Sequence, residues 1–388
     1  MGRIRSILII EELLACTEAW DQATASLRNE AAAMVSALLA DAAKLPDLSV
    51  SLLLSRSAVS LLKTQMSLSP NIRVFSNQHS VEHWLENPEL EPAAVDAVMI
   101  IAPESAGTLV RRLQVVQSDL WAGTVSLNLP WQLAATFSDK LETAHWLQHH
   151  QLPTPETFAL SEQAASSLSS VREMDAAAQN TECEDGREDC MAVIKPRDGV
   201  GCENVRLIPM TSQTFHTAKR MSLQSSPSPE SGWVCQPYVC GTACSVSLIG
   251  GGVNRPPIIL PAGNQTIERE ESALRYRGGK VPCDAEHAAA IAPMALALAN
   301  AIGPFSGWLG ADMSVYRDCQ RGLQATIIEV NPRLCTSYVG YRLAARQNLA
   351  AWLLQQACPE QPEWHPQPVD FLADGRCLTG TESADARA

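Results

Sequence analysis

The sequence predicts an α/β and α+β protein: a helix-covered parallel sheet, then a small domain, then a mixed catalytic domain. Three observations carry this. Residues 4–130 alternate short, continuous apolar runs with longer amphipathic stretches, the β-α-β rhythm of strands buried on both faces. Residues 161–190 and 222–231 are rich in Ser, Pro and acids and lack the periodicity to pack on a core. From residue 286 a long Ala- and Leu-rich helical stretch leads into two strand-like runs about a polar turn, and then into another helical stretch.

In the first region, Ile7-Leu8-Ile9-Ile10 reads as a strand, 30–43 as a helix, and 50–54 and 98–101 as further strands. No Gly-x-Gly-x-x-Gly follows the first strand, so a nicotinamide enzyme loses its best support. A polar amphipathic helix is predicted over 139–151. Pro153 and Pro155 then force an extended segment, which marks a domain boundary. A strand ending at Lys195 and strand-like runs at 233–238 and 245–249 follow. After them come a helix over 286–301, strands at 311–316 and 325–330, and a last helix over 341–357. The division is 1–135, a Rossmann-like domain; 136–240, a small, mobile central domain; and 241–358, a catalytic domain. Residues 359–388, with Pro359, Pro362, Pro366 and Pro368, read as an unstructured tail.

The 388 residues are 46% hydrophobic and 18% charged, enough for two or three cores. A net charge of −13 without any basic cluster argues against nucleic acid as a partner. Apolar runs such as 7–10 and 97–102 fall far short of the roughly 18 residues a membrane span needs, so a soluble protein with no membrane partner is expected. Glu11 and Glu12 cut the first apolar run too early for a signal peptide. Twelve cysteines occur without a Cys-x-x-Cys pair, and Cys235, Cys240 and Cys244 sit in apolar surroundings. They read as small buried hydrophobes in a reducing cytoplasm, and zinc on Cys240 and Cys244 lacks a histidine pair nearby.

The chemistry centres on two segments. Ala192-Val193-Ile194-Lys195-Pro196-Arg197-Asp198-Gly199-Val200-Gly201-Cys202 delivers a lysine from a strand into a turn with two glycines. Lys195 is a point charge for phosphate oxygens, and Gly199 and Gly201 let backbone N–H groups close around them. An ordinary hairpin turn would look the same. Downstream, Gly310-Ala311-Asp312-Met313 and Ile328-Glu329-Val330-Asn331-Pro332-Arg333 belong to two strands that pair about a turn near Gln320 and Arg321. Asp312 then lies opposite Glu329, with Asn331 on the same face. Such oxygen donors suit Mg²⁺, whereas a solvated hairpin face fits poorly with the apolar neighbours Trp308, Val315 and Ile327. Arg333 has the planar fork to grip a phosphoryl group or a substrate carboxylate, or else it neutralises the nearby acids. His145, His149 and His150 share a helix at metal-like spacing, but a solvated helix face is the commoner outcome. Glu11, Glu12 and Glu104, at strand ends, are candidates for amine recognition or helix N-terminal acids.

Lys140, Lys195 with its glycine loop, Gln236-Pro237-Tyr238-Val239, Asp312, Glu329 and Asn331 occur in the order of the ATP-grasp superfamily, which the chain resembles over about residues 1–357. The resemblance implies that Lys140 and Lys195 contact ATP phosphates and that Gln236, Tyr238 and Val239 line the adenine. It further implies that Asp312, Glu329 and Asn331 hold magnesium, with manganese an admissible substitute. Within the superfamily, Asn331-Pro-Arg-Leu-Cys-Thr-Ser-Tyr-Val-Gly340, Ala102-Pro103-Glu104 and Tyr276-Arg277-Gly278-Gly279 are similar to tyramine–glutamate ligases of methanofuran-type cofactor synthesis. That implies glutamate and an amine, tyramine or tyrosine, as substrates, with Lys195 and Arg333 catalytic, and it allows a homodimer. Another amino-acid or peptide ligation, or a nucleotide-binding regulator without turnover, are the alternatives. Ala243 stands where many members carry an acidic ribose-binding residue, and Cys202 departs from the usual phosphate loop.

Overall fold

The computed structural model describes residues 3–59, 71–77, 80–87, 95–160, 191–199, 202, 204–209, 232–355 and 361–378. The stretches 161–190 and 222–231, and Gly201, lie outside the described residues.

The chain opens with β1 (Ser6–Glu11), α1 (Glu12–Ala15), α2 (Thr17–Gln22), α3 (Ala25–Ala42), β2 (Ser49–Ser55), β3 (Ile72–Asn77), α4 (Val81–Glu86), β4 (Ala97–Ile101), α5 (Thr108–Val116) and β5 (Val125–Ser126). The strands form a five-stranded parallel sheet in the order β3-β2-β1-β4-β5. Strand alternation explains the continuous apolar runs. Ile7, Ile9, Leu52 and Met99 enter one buried cluster, while Leu8, Ile10, Leu53 and Ile100 enter the other.

β5 is short, and a side chain extends its ladder. Asn128 Oδ1 accepts from the Ile100 N–H at 2.9 Å and its Nδ2 donates to the Ile100 carbonyl at 2.8 Å, both buried. Asn128→Ala orphans both backbone groups, so a loss of about 2 kcal/mol in urea unfolding is expected. An unchanged midpoint would mean that water replaces the amide.

The second sheet begins after α6 (Trp131–Ser138) and α7 (Lys140–His149), whose N-cap Asp139 accepts from the N–H groups of Leu141 and Glu142. It contains β6 (Phe158–Ala159), β7 (Met191–Pro196), β8 (Arg206–Pro209), β9 (Trp233–Pro237), β10 (Thr242–Gly251), β11 (Ile258–Ile259), β12 (Gly263–Glu270) and β13 (Ala273–Val281). After α8 (Ala285–Ile302) come β14 (Ser306–Asp318), β15 (Gly322–Asn331), α9 (Tyr338–Ala344), α10 (Ala350–Leu353), β16 (Val369–Leu372) and β17 (Cys377–Leu378). The main path is β15-β14-β10-β12-β13-β8-β7-β9-β6, with β11 on β10 and β16 joining β13 to β17. Among the described residues β13 pairs with β8 at Ala273 and Arg206, with backbone hydrogen bonds from Leu207 to Ser272 and from Leu274 to Val205 on either side. The narrow join leaves β6 to β9 as a small sheet on an arm of the larger one.

Three expectations need correction. The predicted helix over 341–357 is two short helices, because the chain turns extended at Ala345 and Asn348 starts a second helix by accepting from the Ala350 N–H. The predicted tail is structured over 361–378. Val369, Asp370, Phe371 and Leu372 pair with β13, and Phe371 is buried. A Cβ on Gly278, whose φ is +136°, would strike the Phe371 carbonyl, so this glycine serves the packing of the tail strand. Cys240 lies in the loop after β9 and is disulfide-bonded, while eight other cysteines are free among the described residues. The predicted helix over 286–301 is Ala285–Ile302, which by length and composition alone could cross a membrane. It covers the sheet through Ile291, Ala295, Leu298 and Ala299.

Candidate active site

The β14–β15 hairpin sets the centre. Its turn is held by Asp318, which accepts from the N–H groups of Gln320 and Arg321 at 2.8 Å. Counting back from that turn, Asp312 pairs with Glu329, as the sequence predicts, and Gly310 with Asn331. The register shifts between Asp312 and Met313, so Ile328 is an extra residue on β15. Bulges of this kind re-aim side chains beside sites.

Two lysines converge on Glu329. Lys195, at the end of β7, lies 3.3 Å from Oε2, and Lys140, at the start of α7, lies 3.5 Å from Oε1. A clasp aligns them. Arg197 donates to the α7 cap Asp139, the Lys140 N–H donates to the Arg197 carbonyl at 2.9 Å, and Lys140 Nζ donates to the Gly199 carbonyl at 2.7 Å. Burial lowers the Lys195 pKa, against the pull of Glu329. For Glu329 burial works upward, but Lys140 and Lys195 outweigh it and hold the carboxyl below its ordinary value. Both lysines are buried with their counter-charge on one carboxylate, so an incoming phosphate has cations already desolvated for it.

Asp312 stands in the opposite condition. Burial, and then the negative charge of Glu329, push its pKa up to about 6. Gln265 donates to its Oδ1 at 2.7 Å and Asn331 to its Oδ2 at 3.1 Å. Two facing carboxylates and an amide are a hard-oxygen donor set; Lys140 and Lys195 offset the charge of Glu329, while burial first and Glu329 second leave the Asp312 carboxyl raised. Asp312, Glu329 and Asn331 therefore fit a magnesium ion.

These groups line one cavity of about 420 Å³, within the range of small-molecule sites. Lys140, Lys195, Gly199, Gln236, Tyr238, Val239, Asp312, Glu329, Asn331 and Arg333 all border it. Gln236 is itself buried and donates to the Thr157 hydroxyl at 2.7 Å, so its side chain braces the β9 edge. Tyr238 and Val239 follow it on the cavity wall. Ala243 also borders the cavity and offers no acid there.

Arg333 is not aimed at the Asp312–Glu329 pair. Its Nε donates to Glu104, at 3.0 and 3.2 Å from the two oxygens, and Glu104 and Arg112 are both buried. Glu104 is thus the partner of Arg333, and Glu12 is locked to Arg112 at 3.0 Å, so both are corrected as amine-recognition candidates. Glu11 caps α1 by accepting from the Leu14 N–H. His145, His149 and His150 lie on the exposed face of α7, and no group of three metal-binding His, Cys, Asp or Glu residues occurs among the described residues. The sequence gives no role to Gln265 or Glu30, which border the cavity, and names Tyr276 only within the Tyr276-Arg277-Gly278-Gly279 run. The polar Asn264-Gln265-Thr266 run opening β12 was the available signal for the first.

An ATP-grasp domain profile matches residues 137–337, more than half of the chain. The chain belongs to the ATP-grasp family. By class it is an ATP-dependent ligase. Solved structures share the fold across nearly the whole ATP-grasp chain. An ATP-grasp superfamily protein from Archaeoglobus fulgidus is 20% identical with a TM-score of 0.59, covering 94% of this chain and 92% of that one. N5-carboxyaminoimidazole synthetase from Staphylococcus aureus is 13% identical, with a TM-score of 0.61 and coverage of 96% and 82%. Biotin carboxylase from Campylobacter jejuni, in its β-γ-ATP complex, is 15% identical, with a TM-score of 0.61 and coverage of 95% and 75%. No curated protein sequence matches the chain.

Proposed function

We propose that this ATP-grasp ligase joins the side-chain carboxylate of L-glutamate to an amine, tyramine or tyrosine, through an acyl phosphate. The observation that carries the reaction class is the convergence of Lys140 and Lys195 on Glu329, facing Asp312, in a single cavity. The sequence resemblance around Asn331-Pro332-Arg333 supports the substrates.

In this reading Lys140 and Lys195 release Glu329 and bind the phosphates of ATP, with the Gly199 loop closing on them. Asp312, Glu329 and Asn331 hold magnesium, which supplies charge neutralisation on the phosphates. The donor carboxylate attacks the γ-phosphorus and ADP leaves. The amine, as its free base, then attacks the activated carbonyl carbon, the C–N bond forms, the C–O bond to phosphate breaks, and the nitrogen's proton leaves with the departing phosphate. Arg333, with Nε on Glu104 and Nη1 on the Leu334 carbonyl, presents Nη2 to the donor carboxylate or the leaving phosphate. No protein nucleophile is needed, so Cys202 and Cys335 beside the cavity, with thiols pushed up to about 12 by burial, stay protonated. The free cysteines support a cytoplasmic location, with the Cys240 disulfide as the exception.

ADP release by purified protein with ATP, Mg²⁺, L-glutamate and a panel of amines tests this. Release that needs glutamate and either tyramine or tyrosine, with the amide identified by mass, is expected. Release with a different pair would keep the ligase and discard these substrates.

A further inference from the structure

The turn that follows Lys195 is tied to the loop after β4 through Asp198. An aspartate ahead of a glycine in a turn ordinarily accepts from N–H groups of its own turn. Asp198 reaches elsewhere. Its Oδ2 accepts from the Ala106 N–H at 2.8 Å, 92 residues away, and its Oδ1 is buried with no hydrogen-bond partner among the described residues. The corner that receives it suits an anion. Ala106 and Gly107 are both left-handed, with φ of 53° and 67°, and lead into the N-terminus of α5. Arg111 donates to the Ala106 carbonyl. An alanine is held in that conformation at a cost, so the corner has one place to relax if its anion is removed. Two residues earlier, buried Glu104 accepts from Arg333 Nε. The Gly107 N–H closes the turn on the Glu104 carbonyl at 3.1 Å, and the Leu109 N–H reaches the Pro103 carbonyl at 3.1 Å. One short turn therefore carries Asp198 on one side and Arg333 on the other.

We propose that Asp198 is a positioning residue for Arg333. Docked on the Ala106 N–H, it sets the 104–107 turn, and the turn sets Glu104 and with it the direction of Arg333 Nη2. The neighbours of Asp198 in the chain belong to the phosphate site: Lys195 faces Glu329, and the Gly199 carbonyl accepts from Lys140. A nucleotide held there fixes Asp198, and through it the arginine on the far side of the turn. Without the carboxylate, Ala106 leaves the left-handed region and Glu104 and Arg333 move with it. The link between Asp198 and Arg333 stands on geometry alone; its use on a transferred phosphoryl group rests on the ligase reading.

Two measurements on the full chain separate these. The first follows the Nε–H proton resonance of Arg333, assigned by its loss in Arg333→Lys. It reports the bond to Glu104 and should shift or broaden in Asp198→Ala. The second is calorimetric titration of inorganic phosphate into the chain saturated with MgADP. Asp198→Ala should weaken phosphate by about tenfold, and Asp198→Asn, which keeps a neutral acceptor for the Ala106 N–H, by about threefold. In an Arg333→Lys background, Asp198→Ala should cost less than about twofold, because the arginine it positions is gone. Melting midpoints identify the folded variants, and Asp198→Asn carries both measurements if Asp198→Ala does not fold. An Arg333 resonance unmoved in the folded Asp198 variants would overturn the link. So would phosphate losses that add in full where Arg333→Lys itself weakens phosphate. A resonance that moves, with phosphate bound as tightly by Arg333→Lys as by the parent chain, would leave the link standing and remove Arg333 from phosphoryl transfer.

Discussion

Glu329→Gln should lower ADP formation by on the order of 10³-fold with every substrate pair, the scale expected when a preorganised charge at a reacting centre is lost. The argument rests on what the carboxylate does with each oxygen. One faces Lys140 at 3.5 Å and the other Lys195 at 3.3 Å, while Asp312 stands opposite on β14. Glutamine keeps the shape and removes the charge. Two consequences follow with opposite signs. The lysines lose their internal competitor, so metal-free ADP should bind more tightly to the variant than to the parent chain. Asp312 loses the repulsion that raises its pKa, and the site loses one of its hard donors, so the gain in ADP affinity on adding Mg²⁺ should shrink. Apo stability should fall as well, because two buried ammonium groups are left without their counter-ion, and ADP should restore part of it. A coupled ADP assay, with ADP titrations at zero and millimolar Mg²⁺, reads all of this. A variant that turns over normally would remove the Asp312–Glu329 pair from phosphoryl transfer.

How much of this site the sequence made legible depends on the distance over which each pairing acts. The hairpin is local. A polar turn between two apolar strands, counted outward by twos, places Asp312 against Glu329 and Asn331 beside them, and the observed register agrees even though Ile328 is an extra residue. The polar run around Gln265 was visible, but its hold on Asp312 was not, because that depends on β12 lying beside β10, a neighbour relation that one strand's pattern does not carry. The same holds more strongly for Glu104 and Arg333, which are 229 residues apart. Each was seen alone as a candidate for substrate binding, and only the fold shows that each is the other's partner.

The tail is a different failure. Prolines at 359, 362, 366 and 368 gave residues beyond 358 the composition of a loop. Phe371 overrides it, because Gly278 and Gly279 leave room on β13 and Gly340 leaves room on α9 for its ring and backbone. The glycines that the sequence comparison tied to substrate chemistry have a packing role that only a distant strand reveals. Arg277, beside them, is spent on Glu268 and Glu270 at 2.5 Å on the exposed face of the β12–β13 hairpin, so the inward residue of that motif is Tyr276.

Glu11→Gln should stabilise the protein at pH 8.5 by about 3 to 5 kcal/mol and leave it nearly unchanged at pH 4.5. Glu11 ends β1 and is 3% exposed. Burial is the main cause that pushes its pKa from 4.5 to about 8; repulsion from Glu12 adds to the rise, while the Leu14 and Leu13 N–H groups and Arg333 oppose it. The folded chain thus keeps a proton between those two values that the unfolded chain has released. The stabilisation is complete below about pH 4.5 and is lost as pH rises through about 8. Glutamine is neutral throughout and can still accept from the Leu14 N–H, so it removes this slope without removing the α1 cap. Urea midpoints for both chains from pH 4.5 to 9 should meet at the acid end and diverge at the basic end. Parallel curves would mean that Glu11 is ionised in the native state, with water or a counter-ion reaching its carboxylate.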